Sequence, residues 1–377
     1  MNANLICNRR WLEAATFVAA CVFLTFIIPP RAAAETLGYV LTTYSVALRE
    51  TPAGKEECPT GFVADDHKQW AAMYDNPAAQ EKHLLQYGNR NVRGVDGENV
   101  FWFPQSAKDP LPYKEAQGTV SYGLNLDGTT DGHATANTCV HQKFTSPEGK
   151  VGIDNQFYRL AACITTFRKT GWMDEFTNKV DMVRPMNRYL LEVANVRDRM
   201  NDDSVEVNIY KGQDALTLDG DGHAIPYTTQ HIDVRNPYVH HTRGRIVDGV
   251  LITDPISMRL PMEQTVMGPG ERQMDQMRLE LKLSPTGADG VMAGYMDTEF
   301  WWQNMAKIAS LIGTVITFSG PATYDELNRL ADGNKDKNGV CHSISSAYSV
   351  SWVPAYIVHS GPSSAITAKR ESMKTLP

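Results

Sequence analysis

The sequence predicts a mainly β protein, α+β overall, whose antiparallel core is a sandwich or a barrel packed against several α-helices. Short runs between residues 189 and 295 alternate apolar and polar side chains, as strands do when one face is buried and the other is wet. Asp-Gly and other turn dipeptides separate these runs. Apolar residues at helical spacing occur near residues 154–164 and 298–330 instead. Short alternating strands with frequent turns are typical of sandwiches and barrels.

The strands are predicted in chain order from this alternation. Residues 39–48, rich in aromatic and β-branched side chains, form the first strand. Asp248-Gly249 is predicted as the turn of a hairpin, because both residues accept the backbone angles that a two-residue turn needs. Further strands are expected at 205–209, 256–260, 277–283, 291–295 and 350–358.

Four helical segments are predicted. Residues 65–88 form the first, interrupted at an Asn-Pro pair, because proline disfavours helix in the residue before it. Asp154 is expected to be the N-cap of the second. A buried helix is predicted at 298–316, and a capping box from Thr323 to Glu326 is expected to open a short helix after it.

The first 34 residues are expected to be a secretory signal peptide. Two arginines supply a basic start, residues 14–28 are almost wholly apolar, and residues 32–34 offer an A-x-A cleavage site before Glu35. A membrane span needs about 20 residues, so a retained anchor is the minor alternative. A mature chain that does not span the membrane is therefore expected in the periplasm or at the cell surface of a bacterium.

Beyond the signal, residues 35–360 are predicted to form a single large β-rich domain, with a subdivision near 170–190 as the alternative. The sequence contains no internal repeat, low-complexity tract or Pro/Ser-rich linker. Residues 361–377 are predicted to be a polar tail.

The chain carries 36 basic and 43 acidic residues, a formal net charge of −7 at pH 7. No basic stripe with interleaved aromatic residues occurs, so the sequence argues against a nucleic-acid partner. A glycan or another component of the cell envelope is the candidate partner.

Four cysteines follow the predicted signal, at Cys58, Cys139, Cys163 and Cys341. An even number in an exported chain predicts two disulfides, with three connectivities that the sequence alone does not decide. A bond between Cys139 and Cys163 would tie a long polar loop to the helix after it.

The strongest metal candidate follows the capping box. Asp332, Asn334 and Asp336 stand at alternate positions behind a helix, as the first three ligands of a calcium loop do, and Asn338 is a candidate fourth. The glycine and glutamate of the complete motif are missing, so a calcium site here needs ligands from elsewhere in the chain.

Weaker cation candidates lie in other acidic turns and among the histidines. The turn candidates are Asp219 with Asp221, and Asp127 with Asp131. The histidine candidates, for copper or zinc, are His133, His141 and His223. Most aspartates in turns only form turns, which is the competing interpretation.

Three adjacent aromatic residues, Phe101, Trp102 and Phe103, lie in an irregular stretch. They are candidate ligand-binding residues, because aromatic faces stack on sugars and other flat ligands. The competing interpretation is a plug that closes one end of the core.

No complete catalytic motif occurs: G-x-S-x-G, the S-x-x-K set, the P-loop and the dinucleotide fingerprint are all absent from the sequence. The leading hypothesis is a non-enzymatic exported binding or structural protein, with calcium as a candidate stabilising ion. The alternative is an exported hydrolase acting on a glycan or an ester. Two carboxylates about 5–10 Å apart in a cleft would favour a glycosidase.

Overall fold

The computed structural model describes residues 33–63, 76–79, 81–82, 97–106, 113–233, 238–264, 268–312 and 318–359. By its internal contacts the chain divides into residues 1–33 and 34–377. The description below concerns the second unit.

The described ranges contain thirteen strands and four α-helices. The strands are β1 Glu35–Val46, β2 Phe144–Thr145, β3 Val151–Ile153, β4 Tyr189–Val196, β5 Asp202–Lys211, β6 Thr228–His231, β7 Val239–Val247, β8 Val250–Thr253, β9 Ile256–Gln264, β10 Gly268–Ser284, β11 Gly287–Asp297, β12 Gly333–Lys335 and β13 Cys341–Val358. The helices are α1 Gln156–Ala161, α2 Trp172–Phe176, α3 Thr298–Ile312 and α4 Gly320–Arg329. Single turns of 3-10 or π-helix lie at Pro52–Gly54, Pro104–Ser106, Thr165–Phe167, Thr177–Asp181 and Pro185–Asn187.

Eight strands close into an antiparallel barrel. Their order is β1-β4-β5-β7-β8-β10-β11-β13, and β13 pairs back onto β1, so the ring has no open edge. Three further strands attach to it: β9 to β10, and β6 and β12 to β13. The prediction of a mainly β core is thus confirmed, and of the two alternatives the core is a barrel.

Side chains fill the barrel interior, as expected for eight strands, whose ring is just wide enough to be packed by side chains or to hold one small ligand. Inward residues of neighbouring strands form one continuous cluster that includes Leu37, Leu41, Leu191, Val207, Leu279, Met292, Tyr348 and Trp352. A smaller apolar cluster lies on the outer face of β11 and β13, beneath the segment 118–155, and comprises Ala47, Leu126, Ala293, Tyr295 and Ala347.

β10 changes partners along its length. Its first half pairs with β9, and its second half pairs with β8 and β11. The register shifts between these halves, where Gln276 has a left-handed φ of 50°. A bulge of this kind bends a strand and redirects its side chains. As a result Glu271, Arg272 and Gln273 lie over one end of the barrel.

Several local predictions are confirmed, and two helix starts are wrong. The Asp248-Gly249 hairpin joins β7 to β8 as expected. Asn155, not Asp154, occupies the N-cap position of α1, because the Asp154 side chain is used elsewhere. Helix α4 begins before the expected capping box: Ser319 is its N-cap and accepts a hydrogen bond from the Ala322 N–H. The helix expected at 65–88 lies largely outside the described residues.

The four cysteines form two disulfides, Cys58–Cys163 and Cys139–Cys341. The suggested Cys139–Cys163 bond is therefore wrong, because Cys139 lies against the start of β13 and Cys163 lies against the Cys58 turn. Two disulfides are what an oxidising environment favours. No helix within the described ranges has both the length and the hydropathy required to cross a membrane.

Candidate functional site

A cavity of about 90 Å³ lies at the end of the barrel where β1 and β11 finish. Helices α2 and α3 and the early part of β10 surround it. Most of its lining is aromatic or sulfur-containing, and it includes Tyr44, Phe157, Phe167, Met173, Met262, Met296, Phe300, Trp301, Met305 and Tyr348. A concave, mainly apolar space with few polar groups is the usual form of a small-molecule site.

Two stacked tyrosine rings contact the guanidinium of Arg272. Tyr44 and Tyr348 come from the neighbouring strands β1 and β13, and their rings stack with centroids 4.4 Å apart. The guanidinium carbon of Arg272 lies 3.8 Å from the Tyr44 ring centroid and 4.9 Å from that of Tyr348. A guanidinium over an aromatic face is stabilised by about 0.5–2 kcal/mol, which fixes the position of Arg272 but leaves its N–H groups free to bind an acceptor.

Arg272 and Tyr44 each have a polar atom that lacks a hydrogen-bond partner among the described residues. Arg272 retains some exposed surface, but its Nη1 is buried and has no hydrogen-bond partner among the described residues. The Tyr44 hydroxyl is likewise buried and has no hydrogen-bond partner among the described residues. Arg272 Nη2 donates to the weak acceptor Met262 Sδ, at 3.1 Å. Burial lowers the pKa of Arg272, because desolvation disfavours its charged form.

The acidic side chains around the cavity do not neutralise Arg272. Glu271 accepts hydrogen bonds from Tyr238 and Arg259, and the Tyr238 hydrogen bond is the main reason why its pKa is lowered. Asp297 Oδ1 accepts from the Phe300 N–H at 2.7 Å. Among the described residues, no carboxylate forms an ion pair with Arg272.

Two further carboxyl groups lie beside this space. Asp174 lines it and has a raised pKa, chiefly because it is buried. Asp181 lines a small adjoining cavity together with Tyr44 and Arg272, and it has contacts of its own. The barrel end therefore presents buried donors together with few free acceptors.

The residues expected to bind calcium do not converge on one point. Asn334 donates from Nδ2 to Asp275 Oδ2 at 2.9 Å, and Asp336 Oδ1 accepts from the backbone N–H groups of Asn338 and Val340. The segment forms the hairpin that joins β12 to β13. Asp332 faces the other way, into the protein.

Asp332 belongs to a buried charge cluster, defined by Asp127, His141, Lys143, Asp154 and Asp332. All five side chains are at most 5% exposed. The cluster lies between the segment 118–155 and the outer face of β11 and β13. Sequence analysis had named Asp127, His141 and Asp332 separately, but no spacing in the chain indicated that they meet.

The cluster is held by short contacts. His141 Nε2 lies 2.7 Å from Asp154 Oδ1, and Lys143 Nζ lies 2.6 Å from Asp127 Oδ1 and 2.5 Å from Asp154 Oδ1. Asp154 Oδ2 accepts from the Leu126 N–H at 2.7 Å. This use of both Asp154 oxygens explains why Asp154 does not cap α1.

Burial shifts the pKa values of the cluster in different directions. Burial raises the pKa of Asp332 to about 7. Burial opposes the charged form of His141, but the hydrogen bond to Asp154 and the charge of Asp332 outweigh it and raise the pKa of His141. Burial also opposes ionisation of Asp127, yet the ammonium of Lys143 outweighs it and lowers the pKa of Asp127.

The other predicted candidates are at the surface. Asp219, Asp221 and His223 each offer one ligand atom within 4.8 Å of the others in an exposed turn. Asp219 Oδ1 accepts from the backbone N–H groups of Asp221 and His223, at 2.9 Å each, as in an ordinary polar turn. Asp131 pairs with His133 at the surface, 2.5 Å from Oδ1 to Nδ1.

The aromatic triplet is split between the two roles proposed for it. Phe101 is buried and packs against Trp302 and Phe318, and its carbonyl accepts from Trp302 Nε1 at 3.0 Å. Trp102 and Phe103 are 52% and 64% exposed. Phe101 is thus a plug, while its two neighbours line a surface groove with Trp302 and Tyr324.

Comparison of the chain with protein-family models, with curated proteins and with solved structures found no significant match. The chemistry of the barrel end and of the buried charge cluster is therefore the basis for the functional argument.

Proposed function

We propose that this protein is an exported binding protein for a small organic anion, a carboxylate attached to a compact apolar group. One observation carries the proposal: Arg272 Nη1 and the Tyr44 hydroxyl are buried beside the same cavity, and neither has a hydrogen-bond partner among the described residues.

A carboxylate would satisfy both donors with its two oxygens. Leaving a buried donor unpaired costs about 1–3 kcal/mol, so each donor that gains a partner on binding contributes to affinity. A hydrogen bond between a guanidinium and a carboxylate is about twice as strong as one between neutral groups. The cavity therefore favours an anion over its neutral amide analogue.

The volume limits the apolar part of the ligand. A cavity of about 150 Å³ holds benzene, whereas this one measures about 90 Å³. The four methionines around it, Met173, Met262, Met296 and Met305, are unbranched side chains that adapt to irregular shapes. The space therefore suits a short aliphatic chain directly, and a single aromatic ring after small movements of these methionines.

The hydrolase alternative has one supporting observation. Asp174 lines the cavity and its pKa is raised by burial, as that of a general acid often is. Glu271, the second carboxylate there, has both oxygens engaged by Tyr238 and Arg259 and does not offer a free base. Binding without turnover is the better-supported function.

The test is calorimetric titration with benzoate and hexanoate, each compared with its neutral amide. We expect the carboxylates to bind and the amides to bind at least tenfold more weakly. Arg272→Met should weaken carboxylate binding about 10–100-fold, since a charge-assisted hydrogen bond contributes roughly 1.5–3 kcal/mol. Trp301 lies in the cavity wall, so its fluorescence gives a second readout.

The matched control is Arg245→Met, on the exposed side of β7, which should bind as the wild type does. Equal affinity for acid and amide, or full affinity in Arg272→Met, would contradict the proposal. Release of product from an ester of either acid, lost in Asp174→Asn, would favour the hydrolase instead.

A further inference from the structure

His141 is held in the orientation of a metal-binding imidazole. Its Nδ1 lies 2.8 Å from the carbonyl oxygen of Cys139, which can only accept, so Nδ1 carries a proton. The other nitrogen, Nε2, faces carboxylates. Imidazoles that bind metals usually donate their second N–H to a carbonyl in this way. The disulfide between Cys139 and Cys341 fixes the segment that supplies this carbonyl.

Carboxylate oxygens of three aspartates surround Nε2. Asp154 Oδ1 is at 2.7 Å, and Asp127 Oδ2 and Asp332 Oδ2 are each at 3.8 Å. His141, Asp127 and Asp154 each offer a ligand atom within 4.8 Å of the other two. In a tetrahedral site with bonds of about 2.0 Å, ligand atoms lie roughly 3.3 Å apart, and the three Nε2–oxygen distances each differ from this value by about half an ångström.

Three buried polar atoms at this place have no hydrogen-bond partner among the described residues, and one of them is Nε of the nearby Arg278. Another is Asp332 Oδ2, on a side chain that is 1% exposed and points toward His141. The third is the hydroxyl of Tyr295, a residue on β11 that is also 1% exposed. Burial and the charges of Asp332, Asp154 and Asp127 all raise the pKa of this phenol.

A metal ion and a protonated histidine differ in how many of the surrounding carboxylate oxygens they satisfy. An imidazolium has one N–H at Nε2, which serves Asp154 and leaves Asp332 Oδ2 unsatisfied. A metal ion, by contrast, binds an imidazole nitrogen and several carboxylate oxygens at the same time. Net charge does not distinguish the two states. Lys143 and the nearby Arg278, which donates to the carbonyls of Asn125 and Leu126, bring either state within one charge of neutrality.

The ammonium of Lys143 leaves the space beside His141 Nε2 open. It contacts Asp127 Oδ1, whereas Asp127 Oδ2 is the oxygen that faces His141. It also contacts Asp154 Oδ1, an atom that a metal and a lysine are able to share. Lys143 therefore acts as an outer charge partner that orients two of the carboxylates.

We propose that the buried charge cluster binds one divalent transition-metal ion of the zinc type, with His141 Nε2, Asp127 and Asp154 as core ligands and Asp332 as the fourth. One imidazole with carboxylates suits zinc, iron or manganese. Calcium would need six to eight oxygen ligands, which this group does not supply. The site is separate from the barrel cavity and does not depend on the function proposed for it.

The test begins with metal analysis of exported protein purified without chelator, followed by stripping and calorimetric titration with zinc chloride. We expect one equivalent of zinc per chain and a higher melting temperature in its presence, because a ligand of the folded state stabilises it by mass action. Cobalt in place of zinc should give the visible absorption of a four-coordinate nitrogen and oxygen site.

Three variants locate the binding. His141→Gln and Asp332→Asn, both close in shape to the native residue, should each lower zinc affinity at least tenfold. His223→Ala removes the histidine of the exposed acidic turn and should bind as the wild type does. Far-ultraviolet circular dichroism and a cooperative urea transition report whether each variant is folded.

Three results would overturn the proposal. They are stripped wild-type protein that takes up no zinc, a stoichiometry that falls in His223→Ala but not in His141→Gln, and a cobalt spectrum typical of six water ligands. Wild-type stoichiometry and the cobalt spectrum decide the question even if His141→Gln fails to fold.

Discussion

The two faces of the β11–β13 strand pair each carry buried polar atoms that lack a hydrogen-bond partner among the described residues. On the inner side, at the barrel end, Arg272 and Tyr44 present buried donors without acceptors. On the outer side, Asp332 presents a buried acceptor without a donor, in a cluster of three carboxylates. Buried polar groups are nearly always satisfied, so such exceptions need an explanation. The comparison motivates the two proposals made above, an anion at the inner site and a metal ion at the outer site.

The largest expected effect comes from removing the central acceptor of the outer cluster. Asp154→Ala leaves His141 and Lys143 without their shared carboxylate oxygen. Breaking a buried ion pair costs about 3–5 kcal/mol, because the remaining charge stays buried and unpaired. Urea unfolding should show this loss; a loss below about 1 kcal/mol would mean that water reaches the cluster freely.

The two disulfides serve the two regions separately. Cys139–Cys341 joins the cluster segment to β13, whereas Cys58–Cys163 lies after α1, near the cavity wall. Replacing Cys139 and Cys341 by serine should cost about 2–5 kcal/mol of unfolding free energy. Benzoate affinity measured on the folded variant should stay within about twofold. A tenfold loss of benzoate affinity would show that the two regions are coupled.

Arg272→Met should change stability in the opposite direction to Asp154→Ala. The variant removes a buried cation that lacks a carboxylate partner and replaces it with an apolar side chain of similar length. Replacing buried charge by well-packed apolar groups is often stabilising, here by roughly 1 kcal/mol after the lost contacts with Tyr44 and Tyr348. A rise in melting temperature together with lost benzoate binding is the expected pair of results. A loss of more than about 1 kcal/mol would mean that Arg272 is structural.

The smallest expected effect concerns pH. Burial raises the pKa of Asp174, so this carboxyl is neutral at low pH and becomes negatively charged as pH rises. Its negative charge would then face the same cavity as the bound carboxylate. Benzoate affinity should therefore fall severalfold as Asp174 ionises, at pH values where benzoate itself stays charged. Asp174→Asn should remove this fall, and a fall that persists in the variant would assign it to another group.

Local patterns predicted the barrel wall well. Alternation at 205–209 and the Asp248-Gly249 turn depend on neighbouring residues only, and both are present as expected. Closure of the barrel depends on pairing of β1 with β13, about 300 residues later, for which no local signal exists. The choice between sandwich and barrel therefore stayed open at the level of sequence.

The sites were harder to predict than the strands. Arg272 was not singled out, because only the bulge at Gln276 directs its half of β10 over the barrel end. The alternate spacing of Asp332 with Asn334 suggests a calcium loop, yet the Asp332 side chain faces His141, far away in sequence, and accepts a hydrogen bond from the Ser345 N–H. Contacts between segments brought together by folding leave no spacing pattern in the chain.

The ring closure of the barrel also has a consequence for the order of folding. β1 is the first strand described and β13 the last, and a hydrogen bond from Thr42 to the Ser351 carbonyl spans 309 positions. Until β13 arrives, β1 and β11 are open edges that can pair with other chains. Contacts of such long sequence separation form slowly. A chain that crosses a membrane from its N-terminus would therefore expose these aggregation-prone edges until the final strand emerges. Either a chaperone or rapid folding would have to protect them.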